Sequence, residues 1–198
     1  MSYMFKNSNL TNLDLSSWNT SSVTDMSFMF DNSKISSLDL SSWNTSSVSN
    51  MASMFYESSF STLYLSSWNT SSVTNMYSMF YSTNISNLNL TNWNTSSVTN
   101  VASMFENSKI SNLDASSWNT SSVTNMSWMF SNSKFSTPDL SSWNTSSVHD
   151  LSSWNTSSVN DVSSWNTSSV NDASSWNTSS VTDVSSWNKY QGTKRELF

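Results

Sequence analysis

The chain of 198 residues has no cysteine, and one each of glycine, proline and histidine. Without cysteine there is no disulfide framework, no thiolate metal site and no lipid-modified thiol. With glycine confined to Gly192, sharp turns fall to Ser and Asn, of which Asn best tolerates the left-handed region. Charge is scarce as well: 10% of residues are charged, only seven are Lys or Arg, and the net charge is -6. Three of those cations (Lys189, Lys194, Arg195) lie among the last ten residues. No basic face remains for nucleic acid or an anionic membrane. No apolar run has the length of a transmembrane segment, and the opening Met1–Lys6 lacks the plan of a signal peptide. His149 has no paired carboxylates around it and reads as a solvated surface residue. The chain is therefore expected to be no enzyme and to use no cofactor or metal.

What is abundant is large and apolar: eleven Trp, eleven Met and ten Phe, a content foreign to disordered chains. These residues recur. Ser-Ser-Trp-Asn-Thr-Ser-Ser-Val returns with its Trp at 18, 43, 68, 93, 118 and 143, a spacing of 25, and then at 154, 165, 176 and 187, a spacing of 11. Such periodicity specifies a stack of small units. The chain opens within a unit, since Met1, Met4 and Phe5 align with Met26, Met29 and Phe30.

In the stretch that follows, Leu10, Leu13 and Leu15 alternate with Asn12, Asp14 and Ser16, the period of a half-buried strand. The spacing recurs through Phe135, Pro138 and Leu140, where Pro138 predicts an edge or disrupted strand. Asn19–Ser22 reads as a turn. Ser22-Val-Thr-Asp25 matches a capping box, and the i, i+3, i+4 spacing of Met26, Met29 and Phe30 predicts a helix of about two turns. One unit's apolar side chains do not offset the entropy of ordering it; stacked units sharing a core and ladder bonds do.

The pattern Leu10-x-x-Leu13-x-Leu15-x-x-Trp18 resembles the leucine-rich repeat strand, with Trp in place of the usual Asn or Cys. The longer pattern Leu-Asp-Leu-Ser-x-Trp-Asn-Thr-Ser-x-Val-Thr-x-Met-x-x-Met-Phe resembles the bacterial surface protein repeat of the BspA-like class, related to repeats in mycoplasma surface lipoproteins. The resemblance covers residues 1 to about 150; where the family usually has Asp, this chain has Asn19 and its equivalents. It implies a leucine-rich-repeat-like right-handed solenoid, with short parallel strands on one face and short helices or turns opposite. It also implies a place at a cell surface or outside the cell, and adhesion or host-protein binding; no anchor is visible in these residues.

Residues 1–150 thus read as a solenoid of six 25-residue repeats, the first partial. Residues 151–188 are shortened 11-residue repeats, for which a disordered segment, a narrowed solenoid of paired units and a period-11 helix stay open. Residues 189–198 form a C-terminal tail.

The expected contact surface is the exposed strand face: Asn12, Asp14, Ser37, Asp39, Thr62, Tyr64, Asn87, Asn89, Asn112 and Asp114. Its acidic row, with Asp139, is interrupted by Tyr64 and Asn89, and serves either as a solvated face or as a weak cation or basic-partner footprint. Two columns read as structural ladders: Trp18, Trp43, Trp68, Trp93, Trp118 and Trp143, and Asn19, Asn44, Asn69, Asn94, Asn119 and Asn144, the asparagines bonding to one another coil to coil and to orphan backbone groups. The Trp column, if exposed, would instead offer a carbohydrate-stacking platform. The Asn-Thr-Ser triplets also fit the acceptor pattern for N-glycosylation. An ice-binding array is disfavoured by the mixed strand face. The function expected is non-enzymatic binding of a protein or glycan partner, and the competing reading is a structural spacer or decayed fragment of a longer array. The bare ends of a stack predict end-to-end self-association.

Overall fold

The computed structural model describes residues 1–134, 140 and 142–154. The expectations for Phe135, Pro138 and Asp139, for the 11-residue repeats beyond Trp154 and for the tail lie outside the described residues. Within them, successive 25-residue units lie side by side in parallel. The strands are β1 (Ser37–Leu38) and β2 (Thr62–Leu63), paired in parallel with Ser37 opposite Thr62 and Leu38 opposite Leu63. An Asn87–Asn112 bridge extends the same line. A second line of parallel bridges runs Asp25, Asn50, Asn75, Asn100, Asn125, Asp150. That second ladder sits where a helix cap was expected.

No helix forms among the described residues, and the reason is local. Met29 NH bonds to Met26 O, Asp31 NH to Phe28 O and Ser33 NH to Phe30 O, each closing a turn. The amides between them turn outward: Phe28, Phe30 and Asn32 donate to Ala52, Met54 and Tyr56 of the next unit, at 2.7–2.9 Å. Alternate amides are thereby diverted from any i to i-4 ladder. Phe28 (φ 56°) and Asn32 (φ 51°) occupy the left-handed region, as do their equivalents Ser53 and Glu57, Ser78 and Ser82, and Ser103 and Asn107. A positive φ at the third residue of a hydrogen-bonded four-residue turn is the type II signature. The helical spacing of Met26, Met29 and Phe30 nevertheless points all three inward, each with no exposed surface. The apolar pattern is that of a helix; the backbone is a turn ladder.

The capping box also resolves differently. Asp25 Oδ1 accepts from Ser27 NH at 2.8 Å, and Asn50, Asn75 and Asn100 accept likewise from the residue two places on. These are Asx turns, which suit Asn as well as Asp.

The core is a set of columns running along the stack. Phe5, Phe30, Phe55, Phe80, Phe105 and Phe130 stack face to face with centroids 5.4–5.8 Å apart. Beside them Trp43, Trp68 and Trp93 stack at 6.4 Å and 2°, and Trp118 and Trp143 at 6.0 Å. Trp43, Trp68, Trp93, Trp118 and Trp143 are buried and Trp18 is half-buried, so the described column offers no carbohydrate-stacking platform. Each indole N–H of Trp43, Trp68, Trp93 and Trp143 donates to a backbone carbonyl of the preceding unit (Leu15, Leu40, Leu65, Ala115). Trp118 Nε1 is buried with no partner. A buried unsatisfied donor costs about 1–3 kcal/mol, so Trp118→Phe is expected to cost distinctly less than Trp68→Phe in chemical denaturation. Equal losses would show that the indole bonds contribute nothing.

A change of register appears at the described C-terminal edge. Leu151-Ser152-Ser153-Trp154 has the letters of Leu15-Ser16-Ser17-Trp18 but takes the place of the Met126–Met129 turn. Met126 NH bonds to Asp150 O and Trp128 NH to Ser152 O, and Ser153 has φ 56° as Trp128 has φ 60°. Leu151 and Trp154 are fully buried. Trp154 meets Phe130 and Trp143 edge-on, and its indole donates to Met126 O.

Candidate interaction surface

The strand stretch gives each unit two outward positions. All ten residues singled out there (Asn12, Asp14, Ser37, Asp39, Thr62, Tyr64, Asn87, Asn89, Asn112, Asp114) are exposed. Pairing of β1 with β2 sets them into columns at the rise of a sheet, about 4.7–4.9 Å per unit. Along one column Asn112 Nδ2 donates to Asn87 Oδ1 at 3.1 Å. In the other, Tyr64 is 59% exposed, more than any other large apolar or aromatic side chain among the described residues.

The aspartates also close turns. Ser116 hydroxyl and amide both donate to Asp114 Oδ1, at 2.6 and 3.1 Å. Bonds from the serine hydroxyl first, and its amide second, hold the carboxyls of Asp14, Asp39 and Asp114 below their ordinary range. A carboxyl whose pKa falls on folding contributes stability that is complete above its unfolded value, and is lost as pH falls through the folded one. Lowering pH from 6 to below the ordinary carboxylate range, about 3.9 for Asp, is therefore expected to loosen these turns, and Asp39→Asn to flatten that dependence in thermal melts. An unchanged slope would remove the carboxylate from the turn. No group of three or more His, Cys, Asp or Glu that could hold a metal occurs among the described residues.

The next face is built from the Asn-Thr-Ser-Ser motif. Asn19 Oδ1 accepts from the Ser21 amide and hydroxyl at 3.1 and 2.7 Å, so each asparagine bonds within its own unit rather than to the next asparagine. The crossing bonds belong to the hydroxyls. Buried Thr20, Thr45, Thr70, Thr95 and Thr120 each donate to the Asn carbonyl of the following unit at 2.9–3.0 Å. Ser47, Ser72, Ser97 and Ser122 donate to the unit before. Thr70→Val keeps the shape and orphans Asn94 O. A loss of about 1–3 kcal/mol is expected by urea titration, whereas a neutral result would show the carbonyl to be served by water.

The third face, the Met-Phe turns, varies most from unit to unit and was not singled out from sequence. Tyr56 and Tyr81 stack at 4.5 Å; burial first, then the Glu57 carboxylate, pushes the Tyr56 hydroxyl up. Tyr77 and Trp128 stand out, each 44% exposed. Near the first unit Lys6 pairs with Asp31 at 2.8 Å across the Tyr3 and Phe28 rings. The signal was present in the sequence as aromatic residues at positions that hold Ser or Ala in neighbouring units.

Repeated units in parallel register, without a metal cluster among the described residues, define a tandem-repeat protein. A model of a Mycoplasma protein family of unknown function, DUF285, matches residues 1–85, 57–154, 83–174 and 114–193. The chain belongs to that family. No curated protein matches the sequence significantly. No solved structure does so either. No helix of the described residues is long and apolar enough to cross a membrane.

Proposed function

We propose that the protein is a non-enzymatic repeat protein of a cell surface, binding a protein or glycan partner through its strand face. The observation that carries this reading is the pair of exposed columns around β1 and β2, where Asp39, Tyr64 and Asn89 replace one another at one register position. An isolated exposed Tyr among carboxylates, amides and hydroxyls suits recognition better than solubility alone. Membership of a Mycoplasma repeat family accords with it, as does the resemblance to BspA-like surface repeats. We read the stack as a right-handed, leucine-rich-repeat-like solenoid on the same ground. A surface location is tested by protease shaving of intact cells. Binding is tested by flow cytometry of purified protein on host cells, where Asp39→Ala with Tyr64→Ala is expected to lower binding at least tenfold and Ser47→Ala to leave it unchanged. Equal binding by all forms would refute the strand face.

One observation favours a second reading, the structural spacer: Trp, Asn, Thr, Ser and Val are nearly invariant over the motif columns, as a rod requires and a binder does not. In that case no variant alters cell binding. End-to-end self-association belongs to either reading; light scattering across a concentration series tests it, growth supporting it and a strict monomer refuting it.

A further inference from the structure

Nine Asn-Thr-Ser triplets occur in the sequence, at Asn19, Asn44, Asn69, Asn94, Asn119, Asn144, Asn155, Asn166 and Asn177. The first six asparagines lie among the described residues, and all six are exposed. The three residues of a triplet divide their work. The Thr is buried and its hydroxyl is committed to the neighbouring unit, as at Thr95. The Ser amide donates to the Asn Oδ1, at 2.9–3.1 Å in all six copies. In the Asn19, Asn44 and Asn94 copies the Ser hydroxyl adds a second bond of 2.7 Å. Each carboxamide is thus fixed through its oxygen on an exposed turn, and none of these bonds uses Nδ2.

We propose that this column is an acceptor for N-linked sugar. In the reaction a base of the transferase takes a proton from Nδ2. The nitrogen bonds to the anomeric carbon of a sugar carried on a nucleotide or lipid diphosphate. The carbon–oxygen bond to phosphate breaks, and the diphosphate leaves with the electron pair. Loss of the Nδ2 proton throws negative charge onto Oδ1, where the Ser amide and hydroxyl already point. Donors preorganised toward a developing oxyanion lower the barrier to forming it. The Thr of the motif ties unit to unit; its Asn is exposed, and the Ser directly after the Thr, half-buried or exposed, holds the Asn oxygen in the arrangement an acceptor needs.

The stack limits how many can react. Equivalent asparagines of adjacent units are one ladder rise apart, about 4.7–4.9 Å, and a pyranose ring with its hydroxyls is broader than that. A sugar on Asn69 blocks Asn44 and Asn94. Occupancy therefore falls on alternate units.

The test is intact-mass measurement and peptide mapping of the full chain isolated from the cells that express it. The expected result is whole hexose or N-acetylhexosamine increments on these asparagines, with no molecule carrying sugar on two adjacent units among the six. Ser96→Ala is expected to abolish modification at Asn94 and Ser96→Thr to retain it, while circular dichroism of both matches the parent. An unmodified mass, sugar on Ser or Thr instead of Asn, or equal occupancy at Asn94 in Ser96→Ala each overturns the proposal. Sugar on adjacent units of one molecule overturns its steric part.

Discussion

Trp68→Ala is expected to destabilise the protein by about 3–5 kcal/mol, the range for emptying a buried large aromatic site. Trp68 is 2% exposed. It touches four structural elements at once: Trp43 and Trp93 at 6.4 Å on its two faces, Phe55 at 6.3 Å, and the Leu40 carbonyl through a 3.1 Å bond from Nε1. Removal opens a cavity across three units and orphans a carbonyl. In a stack each unit leans only on its neighbours, so stability is approximately a sum of unit and interface terms. A break in the middle costs two interfaces, and urea denaturation is expected to shift to a lower midpoint and divide into two transitions. Trp18, half-buried in the first unit, should cost far less when changed to Ala. Equal effects at the two positions would mean that the columns are not the core.

The second large effect belongs to Ser78. Its φ is 51° and its amide donates to Ala102 O at 2.9 Å. Proline demands a φ near -65° and has no amide hydrogen, so Ser78→Pro is expected to cost about 3 kcal/mol or more. That alone does not distinguish a turn ladder from a helix, where proline is as harmful. Glycine separates them by sign. In a helix Ser78→Gly would lose about 0.5 kcal/mol or more. At a left-handed position the side chain costs roughly 1–2 kcal/mol against glycine's entropic penalty of about 0.5–1. A net gain near 0.5–1 kcal/mol is expected, read as a higher melting temperature. A lower one would restore the helix.

These two positions mark what the sequence displays and what it hides. Trp68 is legible because a 25-residue spacing and a place beside alternating leucines favour a buried ladder over an exposed stacking platform for so large an apolar residue. Parallel stacking is legible for the same reason, and the strand pair forms where Leu38 and Leu63 alternate with polar neighbours. The Met-x-x-Met-Phe segment is not, because i, i+3, i+4 spacing places side chains inward in a helix and in a chain of type II turns alike. What decides between them is the amide partner. Phe28 and Phe30 find carbonyls on the next unit, and that depends on a neighbour 24 residues away, beyond any local window. Ser53, Ser78 and Glu57 at positive φ give no warning either, since glycine or Asn would be the usual sign. The asparagine column is legible in part: each carboxamide does serve a backbone amide, that of the Ser two places on, but identical residues at one spacing also suggest mutual bonding, and the turn geometry closes each on its own unit instead. Of the contact surfaces, the exposure of Asn12 through Asp114 follows from strand alternation, whereas Tyr77 and Trp128 stand on turns whose outward positions a helix would have assigned differently.

The register change at Trp154 bears on how such an array grows. Eleven residues separate Trp118 from Met129, and eleven separate Trp143 from Trp154. The recess that holds a methionine in one unit accepts an indole in the next, and the donor–carbonyl bond of the Trp column is reproduced there. An in-frame duplication of eleven residues therefore delivers its tryptophan to a place already shaped to receive one, as a duplication of 25 does. Among the described residues the stack therefore admits a step of eleven residues, at Trp154, beside its ordinary step of 25.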